Sequence, residues 1–283
     1  MPKTETPRCI IIRHGQTEWS KSGQYTGLTD LPLTPYGVKQ MKATSKSLFL
    51  GNNFINPKNI TYVFTSPRTR AIQTKDLILE NVPEHLRSNI KVIVDNDLRE
   101  WEYGDYEGLL TNQIVELRKS RGLDKERPWN IWRDGCENGE SSKHIGCRLS
   151  HVIARIQNLH RKSLEKGENS DILVFAHGHT LRYFAALWFM KNVESIVYKD
   201  TTPPDFYSHI EFKEANGKDV TGELEIIKLP KFTYLVDNPM FLLDAGGVGV
   251  LSYSHHNIDE PALELAGPFK PAVDEESQHG DIK

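Results

Sequence analysis

Two short apolar runs in this chain each stop at a His-Gly pair. Cys9-Ile10-Ile11-Ile12 leads into Arg13-His14-Gly15, and Ile172-Leu173-Val174-Phe175-Ala176 leads into His177-Gly178-His179. Runs that are apolar throughout and rich in β-branched residues read as strands buried on both faces. Such strands belong to parallel sheets covered by helices on both sides, and those sheets bind ligands outside the carboxyl ends of their strands. The two imidazoles are therefore expected to meet at one edge of one sheet, although they lie far apart along the chain.

The remaining pattern supports a sheet of that kind. Residues 60–65 and 90–94 read as further strands beside 8–14 and 172–176. Thr34-Pro35 looks like an N-cap followed by proline at the first helical position, opening a helix that Gly51-Asn52-Asn53 stops. Ser66-Pro67 opens another. Ile145, Leu149, Val152, Ile153, Ile156 and Leu159 recur at helical spacing within 139–166, and an apolar helix through Leu181, Phe184, Leu187, Trp188 and Met190 follows the second His-Gly. Strands alternating with helices predict a three-layer α/β/α fold with one mostly parallel central sheet. Residues 95–140 are dense in charge and tryptophan and lack a strand pattern; they are expected to form a cap insertion over the carboxyl edge. Short strands are expected near Phe206–Phe212 and Leu224–Leu229. Phe241-Leu242-Leu243 and Val248–Leu251 read as a hairpin turned at Gly246-Gly247. Residues 1–270 are read as a single domain and 271–283 as a disordered acidic tail.

Composition narrows the function. The formal net charge of −3 argues against a general nucleic-acid binder, yet a few arginines can make one pocket positive on an acidic protein. The three cysteines, Cys9, Cys136 and Cys147, fit neither a disulfide ladder nor a zinc knuckle, and point to a reducing compartment. The first residues lack the apolar core of a signal peptide, and no run has the length to span a bilayer. The expectation is a cytoplasmic protein with no membrane partner; nuclear entry and homo-oligomer formation are left open.

An imidazole beside arginines suits the transfer of a phosphoryl group onto nitrogen. Hydrolysis of a phosphate monoester must spread negative charge over equatorial oxygens. Arg13 and Arg70 can each offer a planar fork of donors to them, and His177 can add a further donor or a positive charge. His14 is the candidate nucleophile, kept neutral by the neighbouring guanidiniums. Glu100 is the candidate acid, with Glu102 and the substrate phosphate expected to hold it protonated. No metal or organic cofactor is required, because the arginines supply the positive charge. His177-Gly178-His179 lacks a third ligand at suitable spacing for a metal, and Gly246-Gly247-Val248-Gly249 lacks the third glycine of a dinucleotide loop. The basic cluster Arg118, Lys119, Arg121, Lys125 and Arg127 reads equally as a distal-phosphate site or a solvated helix face.

Several segments resemble the histidine phosphatase superfamily, which includes the cofactor-dependent phosphoglycerate mutases. Arg13-His14-Gly15-Gln16-Thr17-Glu18-Trp19 looks like its signature. Asp30-Leu31-Pro32-Leu33-Thr34, Ser66-Pro67-Arg68-Thr69-Arg70, Leu98-Arg99-Glu100-Trp101-Glu102-Tyr103-Gly104 and Ala176-His177-Gly178 follow in the family's order. Gln24–Asp30, Leu117–Trp129 and Val236–Phe269 are similar to a fungal bisphosphatase branch of that family. The resemblance implies removal of a phosphate from a small sugar bisphosphate through a phosphohistidine, foremost sedoheptulose 1,7-bisphosphate to sedoheptulose 7-phosphate. It implies Arg13, His14, Arg70, Glu100 and His177 as the catalytic set, with Tyr25, Thr26, Ser66, Tyr103 and Arg182 as candidates for substrate contact. The superfamily often has asparagine where this chain has Ser20; either Ser20 or Ser66 fills that role. The alternatives are phosphoglycerate mutase or fructose-bisphosphatase activity, or a phosphate-binding module without catalysis.

Overall fold

The structure, a computed structural model, describes residues 4–51, 54–189 and 242–264, Leu235, and short strands at 196–199, 212–213, 219–220 and 223–226. In chain order the strands are β1 (Arg8–Arg13), β2 (Ile60–Thr65), β3 (Lys91–Val94), β4 (Asp171–Ala176), β5 (Ile196–Lys199), β6 (Phe212–Lys213), β7 (Asp219–Val220), β8 (Glu223–Ile226), β9 (Val248–Tyr253) and β10 (Pro261–Leu263). The helices are α1 (Glu18–Ser22), α2 (Pro35–Lys46), α3 (Thr69–Leu79), α4 (Glu84–Arg87), α5 (Thr111–Ser120), α6 (Ile131–Asp134), α7 (Ser142–Lys166) and α8 (Gly178–Phe189). The tail expected over 271–283 lies outside the described residues, as does most of 206–212.

Six strands form the central sheet in the order β10-β9-β1-β4-β2-β3. β1, β4, β2 and β3 pair in parallel, as their apolar runs predict. Alternation along β1 divides the core between the two faces. Cys9 and Ile11 pack with Leu149, Val152 and Ile153 of α7 and Leu181 and Phe184 of α8. Ile10 and Ile12 pack on the opposite face with Leu48, which follows α2, and with Ile78 and Leu79 of α3. Each helix also has a local cause. The Thr34 hydroxyl accepts from the Gly37 N–H to start α2, with Pro35 in its first turn. Ser141 caps α7 in the same way, and Gly167 ends it at φ +69°.

The expected hairpin of 241–243 with 248–251 does not form. Residues 242–244 are not a strand, and β9 runs antiparallel to β1 on one side and to β10 on the other. The turn at Gly246 has a different purpose. Its φ of +75° lets the chain double back so that its N–H donates to the His14 carbonyl, and this brings β9 alongside β1. Within the described residues, 95–140 forms short helical turns with α5 and α6 and contains no strand. Three of the five residues of its basic cluster make ion pairs within the segment: Arg118 with Asp124, Arg121 with Asp105 and Glu137, Arg127 with Asp134.

Candidate active site

β1 and β4 run parallel with Arg13 opposite Ala176, so the residues that follow them, His14 and His177, emerge side by side at the carboxyl edge. Their ring centroids are 5.2 Å apart. His14 Nδ1 lies 2.8 Å from the Gly15 carbonyl oxygen. A carbonyl only accepts, so Nδ1 carries the proton and Nε2 keeps its lone pair. Burial, then the charges of Arg70 and Arg13, hold the His14 pKa well below the usual imidazole range. The His14 ring is therefore neutral, with Nε2 free of a proton.

Arg70 is fully buried at the start of α3. Its Nε donates to His177 Nδ1 at 3.2 Å, and its terminal nitrogens donate to the carbonyls of Thr29 and Thr26, each at 3.0 Å. The guanidinium thus fastens the 26–29 loop to the second histidine. His177 Nε2 in turn lies 2.7 Å from Ser66 Oγ. Burial and the Arg70 charge keep His177 neutral, which leaves, of the two roles expected for it, that of a donor. Ser66 is fully buried behind the His177 ring rather than in the cleft wall. Its hydroxyl also accepts from the Arg68 N–H at 3.3 Å.

Arg13 presents a different picture. One terminal nitrogen donates to the Leu243 carbonyl at 2.7 Å, while Nε is buried with no hydrogen-bond partner among the described residues. A side chain on Gly178 would press against its guanidinium, with a Cβ placed 3.0 Å from Arg13 Cζ. Arg13, His14, Glu100, Gly178, His179 and Arg182 line a cleft of about 180 Å³ together with Tyr25, Thr26 and Tyr103. Four of the five expected substrate contacts thus reach the cleft. The Tyr25 ring meets Tyr103 edge-on at 4.9 Å, and Arg182 sits 4.8 Å over the Trp132 ring.

Glu100 departs from expectation in its charge. Burial pushes its pKa up, but His179 and hydrogen bonds from the Trp101 and Thr180 N–H groups and the Thr180 hydroxyl outweigh this and leave it below the usual value. The Thr180 donors lie 2.9 Å away, and the His179 N–H lies 3.2 Å from the other oxygen. These backbone donors are the first turn of α8, where unpaired N–H groups favour an anion. Glu102 is also not the expected negative neighbour, because it pairs with Arg99 at 3.2 Å. Ser20 lines the cleft, yet its hydroxyl accepts from Thr17 N–H at 2.8 Å in a reciprocal cap of α1.

Sequence reasoning missed three features of this site. His179 was weighed only as a metal ligand. Its Nδ1 instead meets the Tyr103 hydroxyl at 2.7 Å, and burial takes its pKa down to about 4. Thr180, three residues after His177, gave its signal only in the spacing that puts it in the first turn of α8. Glu140 and Arg148, behind Glu100, looked like ordinary loop and helix charges. Among the described residues no cluster of His, Cys, Asp and Glu could hold a metal. His255 and His256 follow β9 at the opposite edge of the sheet, where they contact Glu260 and Thr6.

An α/β sheet that gathers two neutral histidines, two arginines and a carboxylate at its carboxyl edge has the layout of a phosphate-handling enzyme. The model of the histidine phosphatase superfamily (branch 1) matches residues 9–217. The chain belongs to that superfamily. It is 63% identical to sedoheptulose 1,7-bisphosphatase of Saccharomyces cerevisiae, over 98% of each chain. It is 33% identical to an acid phosphatase of Mycobacterium tuberculosis, over 64% of this chain and 75% of the relative. A solved structure of phosphoglycerate mutase from Bacillus anthracis shares the fold, with a TM-score of 0.57 at 17% identity and 93% of each chain covered.

Proposed function

We propose that this chain removes the 1-phosphate of sedoheptulose 1,7-bisphosphate, giving sedoheptulose 7-phosphate and orthophosphate through a phosphohistidine at His14. The observation that carries the reading is the bond from His14 Nδ1 to the Gly15 carbonyl. It leaves Nε2 as an unprotonated nucleophile beside Arg13. In the first step the Nε2–P bond forms as the P–O bond to the sugar breaks, and the proton carried in by the phosphate monoanion passes through the Glu100 carboxylate to the leaving oxygen. In the second, Glu100 takes a proton from water, which attacks phosphorus as the N–P bond breaks and returns His14 to its neutral form; that proton leaves with orthophosphate. Arg13, whose Nε has no partner among the described residues, is the donor available to the equatorial oxygens. Arg70, through its bond to Nδ1, holds His177 against His14.

The choice of sugar rests on the full-length likeness to the yeast bisphosphatase. Arg182 fits the distal phosphate, with Tyr25, Thr26 and Tyr103 along the carbon chain. The same reading takes 1–270 as one catalytic unit with 95–140 as its cap. It places the protein in the cytoplasm, acting on a dissolved metabolite without nucleic acid or membrane. No helix among the described residues is long and apolar enough to cross a membrane.

The test is phosphate release from a panel of sugar bisphosphates by wild type and His14→Ala. Sedoheptulose 1,7-bisphosphate should lead the panel by kcat/KM, with fructose 1,6-bisphosphate behind it, and His14→Ala should release none. Equal rates in the two proteins would remove His14 from the reaction. Conversion of 3-phosphoglycerate to 2-phosphoglycerate with a bisphosphoglycerate primer, without free phosphate, would make the protein a mutase instead.

A further inference from the structure

Behind Glu100 lies a buried charge cluster, Arg148 with Glu140, whose members do not themselves line the cleft. Arg148, on α7 and 1% exposed, donates from one terminal nitrogen to the carbonyls of Asp97 at 2.6 Å and Arg99 at 2.8 Å. The other reaches the Glu100 carbonyl at 3.4 Å and Glu140 Oε2 at 2.8 Å, while Nε meets Glu140 Oε1 at 2.8 Å. Glu140 is bound to the same segment at every polar atom it has. Its N–H donates to the Glu102 carbonyl, its carbonyl accepts from the Trp101 indole, and its carboxylate accepts from Arg99 and the Glu102 N–H.

We propose that Arg148 and Glu140 are positioning residues for the proton donor: together they fix the backbone from Asp97 to Glu102, and so the place of the Glu100 carboxylate. The proposal rests on the reading of Glu100 as the acid. Two features support it beyond burial. The contacts run to main-chain atoms on both sides of Glu100, so they set its Cα rather than its surroundings. Glu140 also closes the exit of the 95–140 excursion onto its entrance, so the cap and the carboxylate are tied at one point. The price of such a cluster is the desolvation of both ions. A hydrophobic pair could hold the fold as well, which leaves placement of the backbone as what the ions provide.

The experiment compares two phosphate esters. A sugar alkoxide needs a proton to leave, whereas p-nitrophenolate does not. Loss of a placed acid therefore slows the first ester far more than the second. Glu100→Gln, Arg148→Lys and Glu140→Gln are assayed on sedoheptulose 1,7-bisphosphate and on p-nitrophenyl phosphate, with melting midpoints measured alongside. Glu100→Gln should lose about a hundredfold in kcat on the sugar and only a few-fold on the phenyl ester. Arg148→Lys and Glu140→Gln should follow the same pattern at about tenfold on the sugar, with KM nearly unchanged. If Glu100→Gln fails to separate the two esters, the assignment of Glu100 as the acid fails. If it separates them and the other two variants do not, the positioning claim alone is overturned. Failure of both Arg148→Lys and Glu140→Gln to fold would also overturn it, since the pair would then belong to the fold rather than to the donor.

Discussion

Arg70 donates its Nε–H to Nδ1 of His177 across 3.2 Å, and this one bond determines the state of the second histidine. A nitrogen that accepts cannot carry a proton, so His177 is the Nε2–H tautomer, directed at Ser66 Oγ. The same guanidinium holds the carbonyls of Thr26 and Thr29. Arg70→Lys keeps the charge but supplies a single ammonium for contacts that diverge from a planar fork. We expect kcat/KM to fall by about a hundredfold and stability by about 3 kcal/mol, since buried carbonyls lose their donor. Steady-state assay and chemical denaturation check both numbers. A variant with normal activity would show that the fork is not needed.

The parallel core of this fold was legible because β1 and β4 are apolar on both faces and end at the same dipeptide. The helices were legible for a similar reason: Thr34-Pro35 and the spacing of Ile145 through Leu159 act locally. The place of β9 was not. Val248-Gly249-Val250-Leu251 reads as a strand, but its partner depends on a turn at Gly246 that is anchored to His14, a contact distant in the chain. The catalytic candidates were legible as residues and not as charge states. The ionisation of Glu100 depends on the first turn of α8, and that meeting of two segments exists only in the folded chain. The contact of Ser66 with His177 was illegible for a related reason, because it joins segments distant in the chain.

The charge of Glu100 has a kinetic consequence. With its pKa below the usual value, the free enzyme carries a carboxylate at neutral pH. The proton needed by the leaving group must then arrive on the substrate. A phosphate monoester loses its second proton near pH 6, so the productive pair is ionised Glu100 with the monoanion. We expect kcat/KM to decline above about pH 6, approaching tenfold per pH unit. Depression of the His14 pKa keeps the nucleophile neutral across this range. Phosphate release at low substrate from pH 5 to 8 tests it. A flat or rising profile would mean that the donor holds its own proton.

Stability should fall with acid before the carboxylates titrate. His14, His160 and His177 are buried, and burial is the largest cause of the lowered pKa in each. In the unfolded chain these rings gain protons below about pH 6.5, while in the folded chain they stay neutral. The unfolded state then binds more protons, so stability is fully present above that pH and is lost as pH drops. Each ring contributes on the order of 1 kcal/mol per pH unit in this window. Glu100 and Glu140, whose pKa values are also lowered, extend the loss below about pH 4.5. Urea titrations at pH 7, 6 and 5 should show a falling midpoint, and a constant midpoint would contradict the neutral rings.

Ser20 stands where the family resemblance leads one to expect asparagine, and its hydroxyl is committed to Thr17. Ser20→Ala should therefore act on the helix cap rather than on turnover. We expect a loss of about 0.5–1 kcal/mol with kcat/KM within about threefold of wild type. Paired thermal melts and kinetics decide it. A large drop in kcat/KM with unchanged stability would return Ser20 to the phosphate site.

Arg182 is the residue we propose for the distal phosphate, the contact that would separate a bisphosphatase from a general phosphatase. It lies on α8 beyond His179, lines the cleft and stacks over Trp132. Its pKa is lowered by burial and by Arg13, so the site holds two guanidiniums that favour an anion between or beside them. An ester with one phosphate needs only the donors around His14. An ester with two gains the second contact, and the gain appears in binding rather than in the chemical step. Arg182→Met keeps much of the stem that packs on Trp132 and removes the charge. We expect KM for sedoheptulose 1,7-bisphosphate to rise by about ten- to a hundredfold with kcat nearly constant, and p-nitrophenyl phosphate kinetics to stay within about threefold. If both substrates suffer alike, Arg182 serves the reacting phosphate; if neither does, the distal phosphate is held by a residue outside this cleft wall.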